Sequence, residues 1–161
     1  MKLDRILVPL DGSTLAEAAI PKAVEMARMG LSSLLLVRAA EAHTLPGADP
    51  TDAQVEVVRE AEEYLKDVAG RLARDGVRNV ETSVWYGPAA SAIVDASRLR
   101  KADLIVMTTH GRSGLGRLIL GSVAESVLRG TSTPILLLRA PGAPVEEPKG
   151  EARPPKEPQY V

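Results

Sequence analysis

Apolar and polar positions alternate in blocks along the first 140 residues. Arg5–Leu10 (RILVPL) is a short apolar run ended by Asp11-Gly12, the pattern of a buried strand. From Thr14 to Met29 the residues Leu15, Ala19, Ala23 and Met26 recur at helical spacing. Thr14 and Glu17 have the spacing of a capping box, Gly30 stops the helix, and Pro21 inside it predicts a kink. Ser33–Ala39 reads as a second continuous apolar strand, and residues 40–51, with Pro46, Gly47 and Pro50, as a loop. Asp52 to Asp75 predicts a long helix with Val55, Val58, Leu65, Val68 and Leu72 on one face, closed by Gly76. Asn79–Tyr86 alternates as a half-buried strand does. Pro88 opens a helix to Arg100 with Ile93 and Leu99 inward. Asp103–Thr108 is a fourth strand, Gly111–Gly116 a Gly-rich loop, and a helix runs from Gly121–Ser122 to about Arg129, ended by Gly130. Pro134–Arg139 (PILLLR) is the fifth strand.

Strand and helix therefore alternate, and the strands are continuous runs of Val, Leu and Ile. Such strands are covered on both faces, which predicts an α/β fold with a doubly wound parallel sheet. Crossovers are right-handed, and ligands bind such sheets at the carboxyl ends of the strands, where the winding reverses. The polar and Gly-rich residues cluster at two such ends, Pro9–Ser13 and Thr108–Gly111.

Composition narrows the function classes. The 161 residues carry 20 basic and 21 acidic side chains, so no general charge draws the chain to nucleic acid or acidic membranes. Cys is absent, which excludes disulfides, a thiol nucleophile and Cys-ligated metals. One Trp, three Tyr and no Phe leave an aliphatic core and almost no platform for stacking single-stranded bases. No apolar run reaches the length of a membrane span, and the apolar patch at the start is too short for a secretory signal. The expected setting is cytoplasmic. Six of the twelve prolines fall in residues 141–161, a mixed-charge stretch expected to be a disordered tail behind a single domain of residues 1–140.

The chemistry concentrates after the fourth strand. Gly111, Gly114 and Gly116 let backbone N–H groups approach a ligand, Arg112 and Arg117 add positive charge, and Ser122-x-x-Glu125 marks a helix start. Free N–H groups and the positive dipole end of a helix attract anions. Together these features suggest a phosphate cradle, although a Gly-rich turn with an ordinary cap accounts for the same residues. It is neither a Walker loop nor a Rossmann fingerprint, since no Gly-Lys-Ser/Thr follows and the glycines do not follow strand one.

Three segments, RILVPLDGS, DLIVMTTHGRSGLGRLILGSVAESVLRG and TPILLLR, resemble the universal stress proteins of the UspA type over nearly all of residues 1–140. The resemblance implies a five-stranded sheet of order 3-2-1-4-5, of the adenine-nucleotide alpha-hydrolase-like kind, and a homodimer formed through the last strand, Pro134 to Arg139. The nucleotide-binding branch carries Gly-x2-Gly-x9-Gly-Ser/Thr. Gly111-x9-Gly121-Ser122 matches its second half, and its first Gly falls on Thr108. A Thr there either obstructs the site by its bulk or offers a hydroxyl to a ribose or phosphate oxygen.

Carried over residue by residue, the resemblance implies an ATP or AMP site. Leu10 and Asp11 would flank the adenosine, with the Asp11 carboxylate near the ribose. Ala39 would meet the adenine edge through its backbone. Met107 and Thr108 would line adenine and ribose. His110, Gly111 and Arg112 would meet the phosphates. Gly121, Ser122 and Val123 would hold them through backbone N–H groups and the Ser122 hydroxyl. Two isolated His and no clustered carboxylates argue against a transition-metal site, and any magnesium would come with the nucleotide's own phosphates. Asp11-Gly12-Ser13 also reads as a plain strand-to-helix turn. His110 lacks a nearby carboxylate to orient it and suits phosphate contact better than proton transfer, and His43 has no evident role. Trp85-Tyr86 is expected to pack on the sheet, and Arg59–Glu63 to be a solvated helix face.

The favoured function is a regulatory nucleotide-binding protein with little or no catalysis. Two alternatives remain: a dimeric interaction protein whose site Thr108 has altered, and an enzyme of the wider adenosine-binding α/β group, for which strand one offers only LDGS.

Overall fold

A computed structural model describes residues 3–42, 50–109 and 120–142. Its elements, in chain order, are β1 (Arg5–Pro9), α1 (Thr14–Glu17), α2 (Ile20–Gly30), β2 (Ser33–Ala40), α3 (Pro50–Arg74), β3 (Val80–Tyr86), α4 (Ala89–Leu99), β4 (Leu104–Thr108), α5 (Ser122–Gly130) and β5 (Ile135–Leu138). The five strands form one sheet in the order β3-β2-β1-β4-β5, and every described pairing is parallel.

Side chains alternate across the strands and so divide the core in two. Ile6, Val8, Leu34, Leu36, Leu104 and Val106 face α1, α2 and α3, meeting Ala19, Ala23, Val24, Leu65 and Val68. Leu7, Leu35, Val37, Ile105 and Met107 face α4 and α5, meeting Ile93, Ala96, Ala124 and Val127. Alanines at the helix contacts bring the helices close to the sheet, and this is how a core without Phe fills its volume. The Asp103 carboxylate ties the starts of β1 and β4 together, accepting from the backbone N–H groups of Asp4 and Arg5 at 2.8 and 2.9 Å.

Several local expectations are corrected. The stretch expected as one kinked helix is two helices, and Pro21 lies in the first turn of α2, where its missing N–H costs nothing. Ser13, not Thr14, caps α1, and Glu17 turns away from the cap toward α3. Gly30 is the last helical residue of α2, and the left-handed cap is Leu31 at φ 55°. On α3 the buried face begins at Ala61 and Leu65, and Val55, expected inward, is 62% exposed. Leu99 is exposed rather than inward, while Ile93 is buried as expected. At α5 the cap is Gly121, and Glu125 pairs with Arg129 instead of closing a capping box. Trp85 packs on the α4 side of the sheet, but Tyr86 is largely exposed. Pro141 and Gly142 form a turn after β5, and the rest of the expected tail lies outside the described residues.

Candidate functional site

The chain winds outward from β1 to β2 and β3, then returns to β4 and β5, so the winding reverses between β1 and β4. There the ladders are unequal. β1 pairs with β2 as far as Pro9 and Val37, but with β4 only as far as Leu7 and Ile105. Past that point the two central strands part toward their carboxyl ends, and a cavity of about 580 Å³ occupies the gap.

Eight of the residues expected from sequence line this cavity: Leu10, Asp11, Ala39, Met107, Thr108, Gly121, Ser122 and Val123. His110, Gly111 and Arg112 lie outside the described residues, as does His43. Five further lining residues escaped the sequence reading: Pro9, Ala16, Val37, Ala89 and Ile93. Three had a usable signal. Val37 stands two positions before Ala39 and so shares its face, and Ala89 and Ile93 are an i, i+4 pair on the helix that Pro88 opens.

The polar lining comes from two segments, the turn after β1 and the start of α5. After β1, the Asp11 Oδ1 accepts from the Ser13 N–H at 2.9 Å and from the Ser13 hydroxyl at 2.6 Å. Ser13 Oγ in turn accepts from the Ala16 N–H at 3.1 Å, which caps α1. The plain reading of Asp11-Gly12-Ser13 as a strand-to-helix turn is thus fulfilled, in a turn that also lines the cavity. Gly12 sits at φ +87°, and a Cβ there would lie 3.6 Å from the Arg38 guanidinium. That guanidinium also lies 4.8 Å from the centre of the Tyr64 ring. Across the cavity α5 begins. Its N-cap is Gly121, which has no side chain with which to occupy the first N–H groups of the helix.

Leu10, Val37, Ala39, Ala89, Ile93 and Met107 supply an apolar lining. Leu10 N–H donates to the Val37 carbonyl at 2.8 Å. Alternate residues of a strand aim their backbone groups to the same side, so Ala39 aims its N–H and C=O to the side that β1 has left. Thr108 is buried, and its hydroxyl donates to the Leu15 carbonyl of α1 at 3.0 Å.

α1 is also anchored from its far end. The Glu17 carboxylate accepts from the Tyr64 hydroxyl at 2.9 Å and from Arg71 at 3.0 Å. Burial, and then the carboxylate that accepts its proton, push the Tyr64 phenol above its ordinary value. Among the described residues no group of three or more His, Cys, Asp or Glu could hold a metal, and no helix is long and apolar enough to cross a membrane.

Comparison with known proteins agrees with this architecture. The profile of the Universal stress protein family matches residues 2–139. A universal stress protein of Methanocaldococcus jannaschii is 32% identical over 142 residues, covering 85% of this chain and 82% of that protein. The universal stress protein UspA from Lactobacillus plantarum superposes with a TM-score of 0.72 at 25% identity, covering 86% of this chain and 99% of that one. A universal stress protein in complex with cAMP matches with a TM-score of 0.68 at 23% identity, over 87% of this chain and 99% of that one. A universal stress protein family protein from Arabidopsis thaliana with AMP bound matches with a TM-score of 0.63 at 15% identity, over 86% and 93%. The sheet has the order 3-2-1-4-5 that the resemblance implied, and the chain belongs to the universal stress protein family.

Proposed function

We propose that this chain binds an adenine nucleotide, ATP or AMP, in the cavity between β1 and β4, as a regulatory ligand and without rapid turnover. The observation that carries the reading is convergence. Residues far apart in sequence, from Leu10 to Val123, line one cavity at the point where the winding reverses. Its lining also combines apolar and polar residues, as a nucleotide combines a base with ribose and phosphate.

The apolar lining suits a purine, and the open backbone of Ala39 within it presents one donor and one acceptor. Adenine answers with an acceptor at N1 and a donor at N6, whereas guanine presents a donor at N1 and an acceptor at O6. The polar lining suits ribose and phosphate. Asp11 can accept from ribose hydroxyls. The first N–H groups of α5, with the Ser122 hydroxyl, face an anion with the positive end of the helix dipole behind them. His110, Gly111 and Arg112 would complete the phosphate contacts, and a magnesium ion would come with the phosphates. That two solved proteins of the same fold hold cAMP and AMP supports the reading further.

Catalysis has little to work with among the described lining residues. Asp11 is the one carboxylate, and its Oδ1 is engaged by Ser13. ATP turnover should stay well under the roughly 1–1000 per second of typical enzymes, and a rate in that range would sink this part of the proposal.

A homodimer through β5 belongs to the same reading. β5 is an edge strand of Ile135-Leu-Leu-Leu138, each residue only half-buried, and such an edge invites pairing with a second copy. The second reading, a dimeric interaction protein without a nucleotide, draws on Thr108, whose hydroxyl hydrogen is already given to Leu15. Titration of nucleotide-free protein with Mg-ATP and AMP, read by calorimetry, separates the two. Saturable binding supports the first, and none supports the second.

A further inference from the structure

We infer that Thr108 is a positioning residue, which holds α1 as a wall of the cavity and makes no contact of its own with a phosphate. The inference rests on the cavity being the ligand site, but its first test does not.

α1 is four residues long, far below the length at which a helix persists by itself. It stays in place because side chains hold it. Ser13 caps its start at the Ala16 N–H. Glu17, at its end, is gripped by Tyr64 and Arg71 of α3. Between these the Thr108 hydroxyl donates to the Leu15 carbonyl at 3.0 Å, from a strand 93 residues away in sequence. Ala16, the next residue, lines the cavity, and so does Thr108 itself. The bond therefore fixes the spacing between the end of β4 and the α1 wall.

The same bond settles what the hydroxyl can offer a ligand. A threonine hydroxyl has one hydrogen to give, and here Leu15 takes it. What remains are two lone pairs, which accept from a ribose hydroxyl and repel a phosphate oxygen. Thr108 is thus neither a plug nor a phosphate ligand. Its bulk is the means by which the end of β4 reaches α1.

The test uses Thr108→Val, which keeps the shape and removes the donor, and Thr108→Ser, which keeps the donor. The first readout is amide hydrogen exchange in the ligand-free protein, at Glu17, Ala18 and Ala19, whose N–H groups donate to Ser13, Thr14 and Ala16. Protection there should fall about tenfold in Thr108→Val and stay within about twofold of wild type in Thr108→Ser. The second readout is affinity for adenosine and for ATP. Thr108→Val should weaken both by the same factor, about three- to tenfold, and Thr108→Ser should restore both. Equal protection in Thr108→Val, or α1 amides already unprotected in the wild type, would overturn the inference. So would a loss in Thr108→Val confined to ATP, since that is the mark of a phosphate contact. A wild type that binds neither compound would defeat the reading of the cavity, while the exchange data would still decide whether Thr108 holds α1.

Discussion

Leu7 and Ile105 are the last residues at which β1 and β4 pair, two positions short of where β1 and β2 part at Pro9 and Val37. That shortfall opens the sheet from one end. It converts a rule about winding into a cavity with a floor of strand ends, one wall from α1 and others from α4 and α5.

The apolar wall on α4 can be closed without touching the core. Ala89 is half-buried at the first helical position and lines the cavity. Ala89→Trp should fill the space assigned to the base, reducing ATP and AMP affinity at least tenfold. Its thermal midpoint should stay close to that of the wild type, because Ala89 packs little. Calorimetric titration and thermal unfolding on the same sample check both halves.

The backbone pair at Ala39 predicts base selectivity. A site that hydrogen-bonds one edge leaves its buried groups unpaired when the wrong edge enters, which is costly. ATP should bind at least tenfold more tightly than GTP at equal magnesium. Competition titration checks this, and equal affinities would remove Ala39 from base recognition.

The Tyr64 phenol makes α1 sensitive to alkali. Its folded value is raised, by burial first and then by the Glu17 carboxylate. The stabilisation is therefore fully present below the unfolded value of about 10 and is lost as pH rises above it. Tyr64→Phe should remove that loss, leaving a smaller fall in stability between about pH 10 and 12 than in the wild type. Denaturant titrations across that range measure the difference.

At the opposite end of the sheet, Glu81 holds two guanidiniums, Arg5 at 2.9 Å and Arg100 at 2.7 Å. All three side chains are about a third exposed, so the cluster is partly screened. Glu81→Leu leaves two like charges together and should cost about 1 kcal/mol, with nucleotide affinity unchanged because the cluster is remote from the cavity. Urea unfolding measures the first and titration the second.

The edge of β5 offers a test of the dimer. Ile105 N–H donates to Pro134 C=O and Thr109 N–H to Leu138 C=O, so the even-numbered residues of this strand face β4. The N–H of Leu137 faces the open edge. Leu137→Pro removes that donor without breaking the ladder to β4, and it should weaken dimerisation at least tenfold by sedimentation while the monomer keeps its fold. An unchanged association constant would place the interface elsewhere.

The architecture was legible because strands covered on both faces cannot hide. Ile6–Val8, Leu34–Val37 and Leu104–Met107 are unbroken apolar runs, and every one of them is buried. The carboxyl-end rule then pointed to Leu10, Asp11 and Thr108, and the family motif to Gly121 and Ser122. What stayed illegible depends on partners distant in sequence. Glu17 has the spacing of a capping box, yet Tyr64 and Arg71, 47 and 54 residues on, offer a stronger bond to its carboxylate. Val55 keeps the helical period of a core position, yet it is exposed among the described residues, and the period alone does not tell where along a long helix the contact with the sheet begins. The role of Thr108 needed the position of Leu15, which no local pattern encodes.

The most direct measurement is calorimetric titration of nucleotide-free protein with Mg-ATP, run beside Gly121→Asp. The Gly121 backbone, at φ −58° and ψ 145°, suits an aspartate, which caps helices well, so the variant should fold. Its carboxylate would then occupy the N–H groups assigned to phosphate. The account predicts saturable binding to wild type in the micromolar range, about −8 kcal/mol, and none to the variant. No saturable binding to wild type, or equal binding to both proteins, would contradict it.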